Sequence, residues 1–439
     1  MLIKSSELGS SLKPEGEKKV VNSLQNAEKV IHSKAPRSAY IHIPFCRRRC
    51  YYCDFPVSVV GDKATGSTSG TIEQYVGVLC QEIATTVASG CSLDTVFFGG
   101  GTPSLLSVEQ LGRILQTIDQ QLGIAHQAEI SMEIDPGTFS LEQLKGYQTA
   151  GVNRISLGVQ AFQDELLKAC GRSHNVTDIF ASVDLLRQVE VPDFSLDLIS
   201  GLPHQTLDQW QESLETAVQL APTHISCYDL IIEPVTAFGR QYAPGAKPLP
   251  TDDTAAQMYR LAQQILTRAG YEHYEISNYA LPGHQCRHNR VYWENRPYYG
   301  FGMGAASYVQ GRRFTRPRTR WDYYAWVQQL IEADGVLDEP ELSETDVLLE
   351  TLMLGLRLAE GVNLSTLIQK FGDKTLEPIW TALHPYFYKG WIEVVEEDRA
   401  VIDQPNPQKL PSNGRLRLSD PEGFLFSNTV LADLFKNLD

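Results

Sequence analysis

Three cysteines, Cys46, Cys50 and Cys53, stand within eight residues of one another in the spacing Cys-x-x-x-Cys-x-x-Cys. Thiolates this close hold either an iron–sulfur cluster or zinc. On a four-iron cube, three thiolates ligate three irons and leave the fourth open to an exogenous chelate, such as the amino and carboxylate groups of an amino acid. Structural zinc wants four closed ligands, and His42 is the nearest imidazole that could complete a set. The bland alternative is that all three are core cysteines. The other five, Cys80, Cys91, Cys170, Cys227 and Cys286, are scattered and read as small buried hydrophobes rather than a disulfide framework.

Further along lies a glycine run, Gly99-Gly100-Gly101-Thr102-Pro103-Ser104. Glycines let a backbone approach a ligand that any side chain would push away, although a triple glycine alone is only a turn signal. Four polar residues follow in comparable places: Glu133 in SMEIDPG, Gln160 in SLGVQAF, Arg172 in CGRSHN and Asp197 in SLDLISGLP. Carboxylates can accept hydroxyl donors, and an arginine fork can grip a carboxylate. Singly, each would more often be structural. The stretch His288-Asn289-Arg290-Val291-Tyr292-Trp293 sets an imidazole beside aromatic rings. That is a plausible place for a haem iron and its macrocycle, with His284 and Cys286 as neighbouring alternatives. A packed loop around an anchored histidine is the competing reading.

The elements that must position these groups alternate. Short apolar runs at Ala39–Ile43, Asp94–Phe98, Glu129–Ile134, Arg154–Val159, Phe194–Ile199 and His224–Leu230 read as strands. Amphipathic stretches at Thr71–Ser89, Ser107–Leu122, Ser140–Ala150, Val176–Val189 and Thr206–Leu220 read as helices between them. About six parallel β/α units predict an α/β fold, a partial (β/α)6 barrel, with a doubly wound sheet as the alternative. The candidate residues sit at strand ends, where barrels carry their chemistry. YEHYEISNYA suggests one extra strand entering a loop. Beyond Glu341 helical patterns and two short β-like runs predict a mostly helical, winged-helix-like domain. The expected organisation is a flexible tail over 1–36, the barrel over 37–300, a linker and extension over 301–340, and the C-terminal domain over 341–439.

The 439 residues carry a net charge of −15, which disfavours nucleic acid as a partner. The Arg-rich stretch Gly311 to Arg320 is a local exception, read as a solvated loop or an anion contact. No apolar run approaches the roughly 18–20 residues of a membrane span, and the N-terminal residues lack a signal-peptide pattern. A cytoplasmic location is expected.

AYIHIPFCRRRCYYCDF resembles the cluster loop of the radical S-adenosylmethionine (radical SAM) superfamily. Tyr40, His42, Pro44 and Phe45 before the triplet narrow the resemblance to the oxygen-independent coproporphyrinogen III oxidase family, from about Arg37 to the C-terminus. That family contains oxidases and a branch of oxidase-like haem chaperones, the HemW type. The resemblance implies a [4Fe–4S] cluster on Cys46, Cys50 and Cys53. It implies S-adenosylmethionine contacts from Tyr40, Tyr52, Gly100, Gly101, Thr102, Glu133, Gln160, Arg172 and Asp197. The oxidases carry a fourth cysteine two places after the third, and here that position is Phe55. His288, Asn289, Tyr292 and Trp293 look like the HNxxYW motif of the chaperone branch and are the haem candidates. LMLGLRLAEGV and RLRLSDPEGFLFSN look like that branch's C-terminal domain. The implied function is transfer of haem to an acceptor protein. The alternative is oxidative decarboxylation of coproporphyrinogen III. The resemblance identifies neither the acceptor nor the electron donor.

Overall fold

A computed structural model describes residues 35–62, 64–336, 339–396, 401–402 and 410–438, so most of the expected N-terminal tail lies outside the described residues. The first two hundred of them alternate strand and helix. These are β1 (Ser38–Ile43), α1 (Gly70–Thr85), β2 (Leu93–Gly100), α2 (Val108–Leu122), β3 (Ile124–Ile134), α3 (Leu141–Thr149), β4 (Arg154–Gln160), α4 (Val176–Gln188), β5 (Asp193–Ser200), α5 (Leu207–Gln219) and β6 (His224–Asp229). The helices begin where the chain offers caps. Ser107 with Gln110, Ser140 with Gln143, Asn175 with Asp178 and Thr206 with Gln209 each form a reciprocal capping box at the start of α2 to α5.

Strands β1 to β6 pair in parallel in sequence order. The chain continues through α6 (Asp252–Arg268), β7 (Glu272–Glu275), β8 (Asn278–Ala280), α7 (Arg287–Trp293) and β9 (Tyr299–Phe301). YEHYEISNYA is thus two strands rather than one. β8 lies antiparallel on β6, and β7 lies antiparallel on β8 with a bulge between them. β9 returns to the other edge as a seventh parallel strand beside β1. The result is one nine-stranded sheet whose edge strands β9 and β7 leave the barrel open. Side chains alternate across a strand. One set, including Ile41, Val96, Met132, Ile155, Leu196 and Ile225, packs under the helices in the main core. The other set points into the lumen.

A hairpin, β10 (Ala306–Val309) and β11 (Arg312–Thr315), and helix α8 (Arg320–Glu332) follow, with α8 packed against α1. Their anchor is Glu82 on α1, which is fully buried. It accepts the guanidinium of Arg316 at 2.7 Å, the hydroxyl of Tyr323 at 2.6 Å and the N–H of Gly302 at 2.9 Å. A buried carboxylate is tolerated only with donors this complete.

The C-terminal unit holds α9 (Glu344–Gly355), α10 (Leu364–Phe371), α11 (Leu376–Phe387), β12 (Ile392–Val395), β13 (Arg415–Leu418) and α12 (Ser427–Leu438). β13 pairs antiparallel with both β12 and the pair Val362–Asn363. A second hydrophobic cluster around Leu352, Trp380 and Leu431 fills it. It is fastened to the barrel by Arg260 to Glu422 at 2.6 Å, by His273 to Asp420 at 2.8 Å, and by the backbone bonds Ile276 N–H to Arg357 and Ala359 N–H to Tyr274.

Candidate functional site

The cysteine loop leaves β1 and is clasped on three sides. Phe45–Cys46 pairs with Ser58–Val59, the Tyr51 N–H donates to the Cys170 carbonyl, and the Phe238 N–H donates to the Tyr51 carbonyl. His42 pins the far end of the loop. Its Nε2 bonds the Pro56 carbonyl and its Nδ1 the Tyr40 hydroxyl, each at 3.0 Å, and burial lowers its pKa to about 4. At neutral pH it is therefore the uncharged tautomer that donates to Pro56 and accepts from Tyr40. With both nitrogens engaged, His42 does not supply zinc with a fourth ligand. Among the described residues no three His, Cys, Asp or Glu side chains converge on a single point as one ion requires. A cube is gripped at separate corners, so a wider trio is no obstacle to it.

The glycine run holds this loop in place. Gly101 N–H donates to the Ile43 carbonyl at 2.9 Å and Thr102 N–H to the Phe45 carbonyl at 2.7 Å. Gly100 N–H donates to Glu133 at 3.0 Å. The amides that the sequence suggested for a ligand are thus engaged by the protein. An ammonium group needs acceptors rather than donors, so this does not conflict with binding a methionyl amino group. The Thr102 hydroxyl donates to Asp135, which forms a short ion pair with Arg172. Arg172 also reaches the Cys50 sulfur at 3.3 Å, the Tyr52 hydroxyl at 3.4 Å and the Gly158 carbonyl at 3.1 Å.

Cys46, Cys50, Tyr52, Thr102, Asp135 and Arg172 thereby become one cluster built from four separate strand ends. Arg172 keeps a buried Nε without a partner beside the cysteines, an arrangement that fits an anionic group. Burial pushes the Cys46 thiol up to about 12, with the Asp135 carboxylate next in effect, so iron binding there must displace a proton. The donor set and the orphaned cation together fit a cluster with an anionic chelate. Asp135 was not singled out in the sequence, although it stands two residues after Glu133 in the same turn. Gln160 occupies the left-handed region with φ +70° at the irregular end of β4, a strain that clusters at functional sites.

The lumen is the second half of the site. A cavity of about 200 Å3 is lined by Tyr40, Gly100, Glu133, Arg154, Ser156, Asp197, His224, Ser226 and Tyr228 among others. Barrel interiors are ordinarily filled by branched apolar side chains; this one is lined by polar ones at every second strand position. Asp197 accepts the Ser156 hydroxyl at 2.8 Å and the Ser195 hydroxyl at 3.3 Å. Burial, then the neighbouring Asp197 charge, raises Glu133 to about 8, and burial raises Asp197 as well. Two carboxyls this desolvated are ready acceptors for paired hydroxyls. Of the S-adenosylmethionine candidates, Tyr40, Gly100, Glu133 and Asp197 face this cavity, while Tyr52, Thr102 and Arg172 sit at the cysteines. Gly101 serves loop packing.

HNRVYW is a helix, α7, not the expected loop. Buried Glu129 fixes its start by accepting the N–H groups of Arg287 and His288, each at 3.0 Å. His288 and Asn289 then line the lumen, and so does Tyr292. His288 Nδ1 bonds the Thr95 hydroxyl at 2.8 Å, its Nε2 bonds the Tyr292 hydroxyl at 2.9 Å, and its ring stacks on Phe97. Burial lowers its pKa to about 3. In this arrangement neither nitrogen offers iron a lone pair, and Trp293 does not line the cavity. The helix acts as a stopper at the strands' amino ends.

Two family models match the chain: the radical SAM superfamily over residues 40–217, and the HemN C-terminal domain over residues 342–397. A Synechocystis protein named heme chaperone HemW is 48% identical over 404 residues, covering 92% of this chain and 97% of its own. The Bacillus subtilis protein of that name is 38% identical over 341 residues, covering 76% of this chain and 87% of its own. Among solved structures, Escherichia coli coproporphyrinogen III oxidase (HemN), described as a radical SAM enzyme, covers 93% of both chains with a TM-score of 0.74 at 23% identity. That likeness shows the fold. Among the described residues no helix is long and apolar enough to cross a membrane.

Proposed function

This chain belongs to the HemW family of radical SAM proteins, and on that premise we propose that it is a haem chaperone that binds haem and passes it to an acceptor protein. The observation that carries the reading is the match along nearly the full length of a relative bearing that name. The position of Phe55 supports it, since an exposed phenylalanine stands where the oxidase pattern has its fourth cysteine. The cysteine trio would hold a [4Fe–4S] cluster, and the residues around it S-adenosylmethionine. When bound, these groups supply single-electron reduction of a sulfonium.

The chain's own residues set the terms of that binding. Arg172 offers a cation beside Cys50, Asp135 holds Arg172 in place, and Glu133 and Asp197 offer acceptors inside a cavity shielded from bulk water. The stopper helix α7 closes the lumen at the strands' amino ends, opposite the mouth.

The test is anaerobic reconstitution of the full chain, haem titration, and incubation with coproporphyrinogen III. Stoichiometric haem binding without substrate conversion is expected. Conversion to protoporphyrinogen IX with release of 5′-deoxyadenosine would overturn the chaperone reading in favour of an oxidase.

A further inference from the structure

The described residues include twelve exposed large hydrophobics, and half of them lie on two segments that meet beside the lumen's mouth. Tyr51, Phe55 and Val59 belong to the cysteine loop; Tyr228 lies at the end of β6, and Ile231 and Val235 belong to the segment after it. The two segments touch through the Phe238 N–H to Tyr51 carbonyl bond and the Tyr51–Phe238 ring contact. Phe55, 56% exposed, and Tyr228, 43% exposed, both line the lumen cavity from its mouth. Ile231 and Val235 are 68% and 70% exposed. Apolar side chains gathered this way on a soluble surface mark a binding site.

Three exposed guanidinium groups border the same rim. Arg49 donates to the Phe55 carbonyl at 3.0 Å, Arg318 to the Asp54 carbonyl at 2.7 Å and Arg240 to the Val235 carbonyl at 3.0 Å. None of the three is ion-paired with a carboxylate of the described residues, although Asp54 and Glu233 lie on the same segments. In a chain of net charge −15, unneutralised arginines beside an apolar ring match a flat hydrophobic ligand that carries carboxylates at its edge.

We infer that haem lies on this rim, its face against Phe55, Tyr228, Ile231 and Val235 and its propionates toward Arg49, Arg240 and Arg318. The inference rests on the haem-chaperone reading and gives it a place. The interior is not that place. Its cavity of about 200 Å3 is smaller than the roughly 300–1,000 Å3 of ordinary small-molecule pockets. Its walls carry buried carboxyl and serine hydroxyl groups among the aromatic rings, and both nitrogens of His288 are engaged. A rim site recognises the macrocycle's face and edge rather than its iron. It also leaves the other face bare for an acceptor to take.

The experiment is titration of the cluster-loaded full chain with haem, and separately with metal-free protoporphyrin IX, following absorbance. The double variant Phe55→Ser/Ile231→Ser is expected to raise Kd about tenfold or more by removing two apolar contacts. The double variant Arg240→Ala/Arg318→Ala is expected to raise Kd severalfold and to flatten its salt dependence. His288→Gln is expected to leave Kd and the Soret position unchanged, and metal-free protoporphyrin to bind within about threefold of haem. Wild-type haem affinity in both double variants overturns the rim site alone. So does loss of the Soret shift in His288→Gln with its iron and fold intact. Failure of the unaltered protein to bind haem overturns the rim site and the chaperone reading together.

Discussion

Replacing Gly100 with alanine should disable the cysteine loop from the strand beside it. Gly100 holds φ at +111°, where an L-residue is strained, and an added Cβ would stand 2.5 Å from the His42 ring. His42 has no free direction to move, because Tyr40 holds one nitrogen and the Pro56 carbonyl the other. Backbone strain costs about 1–3 kcal/mol and overpacking a similar amount, about 1–3 kcal/mol. Together these are a large share of a total stability of roughly 5–15 kcal/mol. A melting temperature lower by roughly 5–10 °C follows. Displacing His42 also frees Pro56 and loosens the far end of the loop, so the iron-to-protein ratio after anaerobic reconstitution should fall in parallel. Gly112 is the reference. It lies inside α2 with nothing within 4 Å of its added Cβ, so Gly112→Ala should melt at the same temperature or higher, alanine being the better helix former by about 1 kcal/mol. A Gly100→Ala protein that melts with the wild type and holds full iron would refute the reasoning.

The same logic extends to four other sites. Asp135→Asn removes the anion that compensates Arg172 and should cost about 3 kcal/mol of stability, read by denaturant unfolding. Cofactor affinity of the cluster-loaded protein should fall with it, and an unchanged affinity would remove Arg172 from the site. Glu82→Gln leaves buried Arg316 without its carboxylate and should cost about 3–5 kcal/mol; limited proteolysis should then cut first between Gly302 and Glu332. Glu133 has a folded-state pKa raised from 4.5 to about 8. The folded chain therefore holds the proton over a window where the unfolded chain has lost it, and stability falls as pH rises through that window. Glu133→Gln keeps the acceptor for the Gly100 N–H and should flatten this slope; an identical pH profile for the variant would show that the carboxyl is not desolvated. Cys50→Ser should reconstitute with little or no iron, measured by metal analysis, while keeping the wild-type far-ultraviolet circular dichroism.

Some of this was written in the chain itself. The cysteine spacing is local and survives any fold. The six apolar strand runs and the capping boxes that open α2 to α5 obey short periodicities, so β1 to β6 and their helices fall close to the expected bounds. Glu133 and Arg172 could be singled out because one sits at a strand end and the other in a turn; Asp197 stands inside β5, on its polar face. The polar lining of the lumen was also latent. Glu129, Ser131 and Glu133 alternate with Ile130, Met132 and Ile134, but alternation alone does not say which face is inside.

What the sequence could not fix depended on distant pairings. β9 is three residues long and gains its identity only from lying beside β1. HNRVYW becomes a helix because Glu129, far away in the chain, meets its first N–H groups. His288 then has both ring nitrogens engaged, one by Thr95 and the other by Tyr292, an outcome no local pattern encodes. Asp135 looked like a turn residue until folding carried Arg172 to it. Burial, hydrogen-bond partners and protonation state are properties of neighbours, and only the closing of the barrel chooses the neighbours.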